Sequence, residues 1–465
     1  MSWLPRLQSP RAPTPIRSAR PGVVLRAAAL LVALGVLLAQ RGVAAQQPPV
    51  PGAPDAEQLL GNILVVAEAQ ARPLPKIAVY PSLSSDIEDV TLRSVVRRDL
   101  DLCGEFELLP EDKRPEGLYL SDTPIDAKAW TATGIESLVR VTAKKAVADK
   151  VELRGQAYFV RKSPDPVFDR KFVVPAKDIR VESHRVADML IGALTGTNGS
   201  FASHLTFASG GGKQRRIFTI DADGNNAAAA SPTERTAIAP TFGKNEELFY
   251  AGSINSDEYK IFTPTGGPFM PPVRGSVYGI AFNKDRSQVA LTIGQGMTIK
   301  LFAGPDIASV KLVQPQNEMV LHPTFTPTGK LAYAAAGRWG QRIWVDGKAI
   351  SPDGLFASAP TFCNHPDGIR AVFAAGTGKR TDLVSTGEMG GGLARLTQNQ
   401  SNNSYPACSP DGRLVAFFST RTSNEGPGLY MMRVDGGRPK RISTLGGDSL
   451  RWESLPKGSA VEAKN

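Results

Sequence analysis

The chain has 465 residues, which is long enough for two domains with separate hydrophobic cores. Its 42% hydrophobic and 21% charged residues exclude a largely disordered protein. The formal charge of +10 does not indicate nucleic-acid binding, because the basic residues beyond the N-terminus form isolated pairs such as Lys144-Lys145 and Arg215-Arg216 rather than a stripe.

Residues 1–45 have the composition of a secretory signal peptide. They contain six arginines and no acidic residue, an apolar run over 27–39 and a small-residue site at Val43-Ala-Ala45. The apolar run is too short to span a bilayer comfortably, so we predict cleavage near Ala45 and no stable membrane insertion afterwards. Cleavage removes only positive charges and lowers the formal charge from +10 to +4.

A proline-rich linker is predicted over 46–58, followed by an α/β domain over 59–198. The patterns that indicate this domain are, in chain order, a buried strand at 76–80, an amphipathic helix over 86–102 that ends before Gly104, a strand at 106–109, a hairpin over 137–161 and a second amphipathic helix over 179–194 that ends at Gly196.

Residues 199–456 repeat a strand, a tight turn and a second strand. The clearest copy, 406–419, contains the turn Ser409-Pro-Asp-Gly412, and weaker copies begin near residues 240, 279, 323 and 360. A sixth inner strand near Leu450-Arg-Trp452 lacks the rest of its blade, while 201–230 supplies outer strands without an inner one. We therefore predict a six-bladed all-β propeller closed by pairing of its two ends, with a disordered tail over 457–465.

The cysteines show no metal-binding or disulfide framework. Cys103, Cys363 and Cys408 cannot all pair and lack Cys-x-x-Cys spacing. Alignment of the repeats places Cys363 one residue out of phase with Cys408, so the two should point to opposite sides of their sheets. We expect small core residues and no disulfide.

The motifs of propeller-associated enzymes are missing. No Gly-x-Ser-x-Gly elbow occurs, and the inner strands carry threonine and phenylalanine instead of converging carboxylates. His184 and Asp188 have helical i,i+4 spacing, but two ligands do not make a metal site. The sequence predicts a non-enzymatic protein without a cofactor or a metal site, and it leaves open whether calcium occupies the propeller channel.

The end of the α/β domain carries motifs of a known family. It contains His184-Arg-Val-Ala-Asp188, then Leu194-Thr-Gly196 and Gly199-Ser-Phe201, directly before the propeller. This arrangement resembles the TolB family over residues 60–455. The resemblance implies a structural role at the junction for His184, Asp188, Gly196, Gly199 and Phe201. It also implies a monomeric periplasmic component of the Tol-Pal system, which links the inner membrane, the peptidoglycan and the outer membrane and acts in envelope integrity and in constriction at division.

The resemblance implies two partners, with other outer-membrane proteins as further candidates. The lipoprotein Pal is expected on the propeller face where loops lead into the inner strands, and Tyr278 and Tyr405 are the strongest anchors because aromatic groups dominate interface energetics. The positions carried over are Ser276, Tyr278, Leu321, His322, Ser358, Asn402, Asn403, Ser404 and Tyr405.

The second implied partner, TolA, is expected at the N-terminal segment Ile63, Leu64, Val65 and Val66. This apolar segment either adds to the sheet edge of a partner or forms the first strand of its own domain, and the two alternatives do not exclude each other. An alternative function for the whole chain is a propeller module for another envelope ligand, such as a peptidoglycan fragment, because the entry loops of the middle blades depart from the family pattern.

Overall fold

The computed structural model describes residues 54–65, 73–117, 119–120, 123–313, 319–377, 379–423, 425–454 and 461–462. The predicted signal peptide and most of the predicted linker lie outside these residues. The linker prediction is wrong at its end, because helix α1 (Ala56–Gly61) begins there. Asp55 caps this helix by accepting a hydrogen bond from the backbone N–H of Glu57 at 2.9 Å. Within the described residues, no helix is both long and apolar enough to cross a membrane.

The first domain is α/β, as predicted. After α1 and the two-residue strand β1 (Leu64–Val65), its elements are β2 (Lys76–Val79), α2 (Ile87–Leu102), β3 (Glu107–Leu108), α3 (Ala127–Ala132), β4 (Ser137–Lys145), β5 (Lys150–Phe159), β6 (Phe168–Pro175) and α4 (Ile179–Thr195). The sheet order is β3-β2-β4-β5-β6, with parallel pairs on both sides of β2 and antiparallel pairs beyond β4.

Helices α2 and α4 share one hydrophobic core with this sheet. Their apolar residues recur at helical spacing, so that Leu92 and Val96 of α2 and Leu190 of α4 are buried on the same side. Helix α4 ends where Gly196 takes a left-handed φ of +87°, a conformation that glycine adopts without steric cost. The sharp stop directs the chain into the propeller.

The second domain is the predicted six-bladed propeller. Blades 1 to 3 contain β7 (Ser203–Ser209), β8 (Arg216–Asp221) and β9 (Ala228–Ala229); β10 (Thr236–Phe242), β11 (Leu248–Ser253) and β12 (Lys260–Phe262); and β13 (Ser276–Phe282), β14 (Val289–Gln295), β15 (Thr298–Gly304) and β16 (Lys311–Leu312). Blades 4 to 6 contain β17 (Leu321–Phe325), β18 (Leu331–Ala336), β19 (Gln341–Val345) and β20 (Lys348–Ala349); β21 (Phe356–His365), β22 (Gly368–Gly376), β23 (Thr381–Gly387) and β24 (Ala394–Arg395); and β25 (Asn403–Cys408), β26 (Leu414–Ser419), β27 (Gly428–Arg433) and β28 (Lys440–Ser443).

The ring closes through the C-terminal strand β29 (Asp448–Ser454), which pairs antiparallel with β7 and becomes the inner strand of blade 1. Trp452 is buried there, and its indole N–H donates to the Ser203 hydroxyl at 2.7 Å. Both ends of the propeller therefore share one blade, as the sequence predicts.

The N-terminal segment does not join its own domain. Strand β1 pairs parallel with β24 of blade 5, so the interpretation of this segment as the first strand of the α/β sheet is wrong. The strand β2 already has neighbours on both sides, whereas the outer edge of β24 is free to accept a strand. Leu60 and Ile63 are buried in the core of blades 4 and 5. Val66 lies outside the described residues.

A buried arginine attaches this segment to the propeller. Arg395 is 1% exposed, forms an ion pair with Asp382 at 2.6 Å and donates to the carbonyl of Leu60 at 3.3 Å. It adds a side-chain hydrogen bond to a carbonyl at the end of α1 that otherwise accepts only from the backbone N–H groups of the residues following the helix.

Cys363 and Cys408 form a disulfide, contrary to the expectation from their phase. The two residues do point to opposite faces of their own sheets. However, neighbouring blades pack so that one face of a sheet contacts the opposite face of the next sheet. Residues that are one position out of phase therefore meet between the two blades. Their Cα atoms are 5.1 Å apart, within the usual range for a disulfide.

The prediction of a disordered tail is wrong for two residues. Strand β30 (Val461–Glu462) pairs antiparallel with β6 and extends the sheet of the first domain. The edge of β6 offers unpaired backbone groups that this strand satisfies.

Candidate functional site

The two faces of the propeller are not equivalent. Each inner strand begins at one face and ends at a tight turn on the other, and the turn of blade 6 contacts the α/β domain: Ser200 donates to Asp411 at 3.1 Å, and Arg413 donates to the carbonyls of Thr197 and Asn198, both at 3.1 Å. The α/β domain thus sits on the face where the inner strands end. The opposite face, where they begin, is called the entry face below.

Helix α1 lies at the rim of the entry face. The Glu57 carboxylate accepts a hydrogen bond from Thr377 at 2.7 Å and pairs with Arg380 at 3.0 Å, and both partners lie in the turn between β22 and β23. That turn is on the entry side, because β22 runs back from the turn at the end of β21. The N-terminal segment and the entry face are therefore neighbours.

Every inner strand contains a one-residue bulge near its start. In β10, for example, Ile238 pairs with Ala251 and Thr241 pairs with Phe249, so three steps on one strand match two on the other. The same shift occurs in the other five blades. Such bulges re-aim side chains and are common at barrel rims and functional sites.

In five blades the bulge holds a non-glycine residue at positive φ, between +49° and +54°. Backbone in this region costs roughly 1–3 kcal/mol and persists only where the surrounding structure imposes it. The residues are Ala239, His322, Ala359, Tyr405 and Ser449.

The bulges direct side chains into the central channel. The rings of His322 and Tyr405, from blades 4 and 6, approach edge-to-face with centroids 5.8 Å apart. Arg451 of blade 1 donates to the carbonyl of Pro323 in blade 4 at 3.2 Å. Contacts between blades that are not neighbours are possible only across the channel.

The channel groups have shifted pKa values. Burial, together with the Arg451 charge, lowers the pKa of His322 to about 4, so this histidine is neutral at pH 7. Burial also lowers the pKa of Arg451 to about 10 and raises the pKa of Tyr405. Burial raises the pKa of Asp448, which nevertheless forms an ion pair with Arg215.

The predicted partner-binding residues fall into two groups. Tyr278, Leu321, Ser358 and Ser404 occupy the same register position in four blades, directly before or at the bulge, and all are half-buried. They form part of a ring around the channel mouth. The half-buried Ser276 and Asn402 lie just before this ring.

Three of the predicted loop residues are more buried than residues of a surface loop: His322, Tyr405 and Asn403. The first two line the channel, where Tyr405 is 9% exposed. Asn403 is fully buried and donates to the Thr397 hydroxyl at 3.1 Å, which corrects its assignment as a partner contact.

The junction residues pack between the two domains. Asp188 accepts hydrogen bonds from the backbone N–H groups of Phe201 at 2.7 Å and Ala202 at 2.9 Å. A Cβ on Gly199 would lie only 2.5 Å from the Asp188 carboxylate, so glycine is required for this close approach. Phe201 is 1% exposed and fills the shared core.

His184 takes part in a buried charge network at the same junction. Its Nδ1 lies 2.7 Å from the Asp99 carboxylate, and both lie close to Asp223 of blade 1. Arg180 donates to Asp223 at 2.5 Å and to Asp221 at 2.9 Å. The three groups Asp99, His184 and Asp223 are near enough to hold a cation, but Arg180 already supplies positive charge to Asp223 and makes an ion-pair network the better description.

The α/β domain matches a known family model. Residues 63–162 match the TolB amino-terminal domain. Over these residues the chain is similar to the TolB family. The relatives named "Tol-Pal system protein TolB" include that of Albidiferax ferrireducens, 25% identical over 40% of this chain and 43% of the relative, and that of Nitrosococcus oceani, 29% identical over 32% of this chain and 35% of the relative. The matched region spans less than half the length of these TolB relatives.

A solved TolB structure supports the fold along most of the chain. The crystal structure of TolB from Acinetobacter baumannii is 20% identical and superposes with a TM-score of 0.64, covering 82% of this chain and 97% of that one. At this identity the likeness shows the shared TolB architecture of an α/β domain followed by a propeller.

Exposed apolar residues on the entry face were not predicted from the sequence. They lie in the loops between blades and in the turns between second and third strands, which reach the same face as the inner-strand starts. Met297, at the tip of the β14–β15 turn, is 77% exposed. The others are Ile254, Met270, Met319 and Phe356, between 37% and 54% exposed. An apolar residue beside glycine or proline in a turn is the signal that would have found Met297 and Met270.

Proposed function

We propose that this TolB-family chain is a non-enzymatic periplasmic adaptor of the Tol-Pal system, with Pal bound at the entry face of the propeller and TolA at the N-terminal segment. The observation that carries the proposal is the entry face itself. It lies opposite the α/β domain and presents one ring of half-buried strand-start residues around a channel.

The composition of this face suits a protein partner. Tyr278 lies in the ring and packs against Tyr259 in a tilted arrangement with ring centroids 6.2 Å apart, which limits its rotational freedom before binding. Met297 and Phe356 add exposed apolar surface, and flexible methionine side chains adapt to a partner's shape. Polar ring members such as Ser404 supply hydrogen bonds at the rim.

The N-terminal segment suits an exchangeable contact. Strand β1 pairs with β24 through two residues only, and Leu64 is 64% exposed. A partner strand could therefore replace or extend this pairing by β-strand addition. Ile63 is buried, so TolA would reach it only after β1 leaves blade 5.

Export to an oxidising compartment is supported by two features. The N-terminal 45 residues have the composition of a signal peptide. The disulfide between Cys363 and Cys408 is typical of proteins outside the cytoplasm.

Calorimetry with the soluble domain of Pal from the same organism tests the adaptor function. The chain from residue 46 onward should bind with micromolar or tighter affinity, and Tyr278→Ala should weaken binding by about 1 kcal/mol or more. Val147→Ala is the control, since Val147 is 87% exposed at a hairpin tip of the α/β domain. Absence of heat at several temperatures, or equal losses for both variants, would contradict Pal docking at the entry face.

A further inference from the structure

Arg451 breaks the internal symmetry of the propeller. The six inner strands can be aligned by their pairing with the neighbouring strand of each blade. The position compared here lies two residues after the residue in the bulge. In five blades that position holds a small residue: Thr241, Ala281, Thr324, Thr361 and Ala407. In blade 1 it holds Arg451, so a single long cationic side chain enters the shared channel.

The guanidinium extends across the channel to the opposite blade. Arg451 donates from Nη2 to the carbonyl of Pro323 at 3.2 Å and from Nη1 to the carbonyl of Leu450 at 3.3 Å. These two hydrogen bonds use two of its five N–H groups. Among the described residues, no further hydrogen bond engages the remaining N–H groups, and the rings of His322 and Tyr405 lie beside Pro323.

No carboxylate neutralises this cation within the part of the chain that the structure describes. The two acidic residues on the same strand are paired elsewhere, Asp448 with Arg215 and Glu453 with Arg286 at 2.5 Å. Burial alone accounts for the lowered pKa of Arg451, and at about 10 it leaves the side chain charged at pH 7. A partly desolvated charge without a counter-ion is unfavourable and gains free energy when an anion binds.

The geometry favours a carboxylate as that anion. A guanidinium presents parallel N–H groups that match the two oxygens of a carboxylate. His322 is neutral because burial and the Arg451 charge lower its pKa to about 4, and it can donate one N–H. The raised pKa of Tyr405 keeps its hydroxyl protonated as a further donor.

We propose that the propeller channel is a carboxylate receptor in which Arg451 binds an acidic group that enters from the entry face. The receptor rests on the proposed function in one respect, namely that a side chain of the docked partner supplies the carboxylate. A free small carboxylate is the other source of the same chemistry.

The test uses the chain from residue 46 onward and two probes. Succinate is titrated against chloride at equal ionic strength, with heat and thermal stability as readouts, and the soluble domain of Pal is titrated separately. Arg451→Ala recreates the residue that Ala281 and Ala407 provide in other blades, so it should fold. Arg451→Lys keeps the positive charge but lacks the parallel N–H groups of the guanidinium. Arg161→Ala removes an exposed arginine of the α/β domain and is the control.

Arg451→Ala should weaken Pal binding at least tenfold, with a smaller loss for Arg451→Lys and none for Arg161→Ala. Succinate binding that disappears in Arg451→Ala would support the receptor with a free carboxylate as ligand, even if Pal does not bind the unmodified chain and the proposed function fails. Unchanged Pal affinity in Arg451→Ala, together with no Arg451-dependent succinate binding, would overturn the receptor while leaving the adaptor function intact.

Discussion

At the scale of single residues, the buried pair of His184 and Asp99 links two helices that both face the propeller. Burial lowers the pKa of His184, but the Asp99 carboxylate at 2.7 Å outweighs it and raises the pKa from 6.5 to about 9. Burial raises the pKa of Asp99 to about 6, against the effect of His184. Between these values both groups are charged, and the pair behaves as a buried ion pair.

The pair predicts a pH dependence of stability. Because the pKa of His184 is raised in the folded state, protonated His184 stabilises the fold. Its contribution to the free energy of unfolding is complete below pH 6.5 and disappears as the pH rises through about 9. We expect the free energy of unfolding to fall by at least about 1 kcal/mol over this window.

Chemical denaturation at several pH values measures this fall. In His184→Gln, which cannot carry the charge, the decline between pH 6.5 and 9 should be smaller, although the variant is less stable overall. His365→Gln is the matched control, because this histidine lies at the end of β21 beside Asp367 and takes no part in the pair with Asp99. The same decline in His184→Gln as in the unmodified chain would show that another group titrates.

The junction also shows the limit of sequence reasoning about residues. The motif around His184 and Asp188 predicted a structural role there, and the structure places both between the domains. Their partners were not predictable, because Asp99 is 85 residues from His184 and no local spacing connects them.

At the scale of elements, the disulfide joins the inner strands of blades 5 and 6. It closes a loop with a sequence separation of 45 residues, and its removal should cost about 2 to 4 kcal/mol of stability. The double variant Cys363→Ala and Cys408→Ala should therefore unfold at lower denaturant concentration than the unmodified chain.

A reducing agent provides the internal control for this prediction. Dithiothreitol should lower the unfolding midpoint of the unmodified chain and of Cys103→Ala, whose buried thiol is free, but should not affect the double variant. A midpoint that does not respond to reduction in the unmodified chain would mean that the two thiols are unpaired in solution.

The sheet that strand β1 joins was not predictable from the sequence. The apolar residues of β1 predicted a strand correctly, but the choice of sheet depended on which edge was free. Hydrogen-bond donors and acceptors on β2 were already used by β3 and β4, whereas β24 had an open side. Such competition between distant edges leaves no trace in the local sequence.

At the scale of the whole molecule, ring closure by β29 unites residues separated by more than half the chain. A truncation after residue 447 removes this strand, exposes an edge of β7 and deletes the buried Leu450 and Trp452. We expect a loss of more than about 5 kcal/mol, since deletion of each large buried side chain costs about 2 to 5 kcal/mol.

Thermal unfolding followed by circular dichroism compares this variant with a truncation after Ser454. The longer variant keeps β29 and loses only the tail with β30, so its melting temperature should remain close to that of the full chain. Similar melting temperatures for the two truncations would mean that blade 1 does not need its closing strand.

The sequence by itself determined the order of the two domains, the number of blades and the closure of the ring, because turn residues and apolar periodicity are local properties that repeat along the chain. Only the tertiary structure decided that Cys363 meets Cys408, that β1 lies on blade 5 and that Arg451 crosses the channel with no acidic partner among the described residues. Each of these depends on how separate sheets are stacked and oriented around the ring. Contacts of this kind are set by the packing of whole blades, which residue spacing within one blade does not encode.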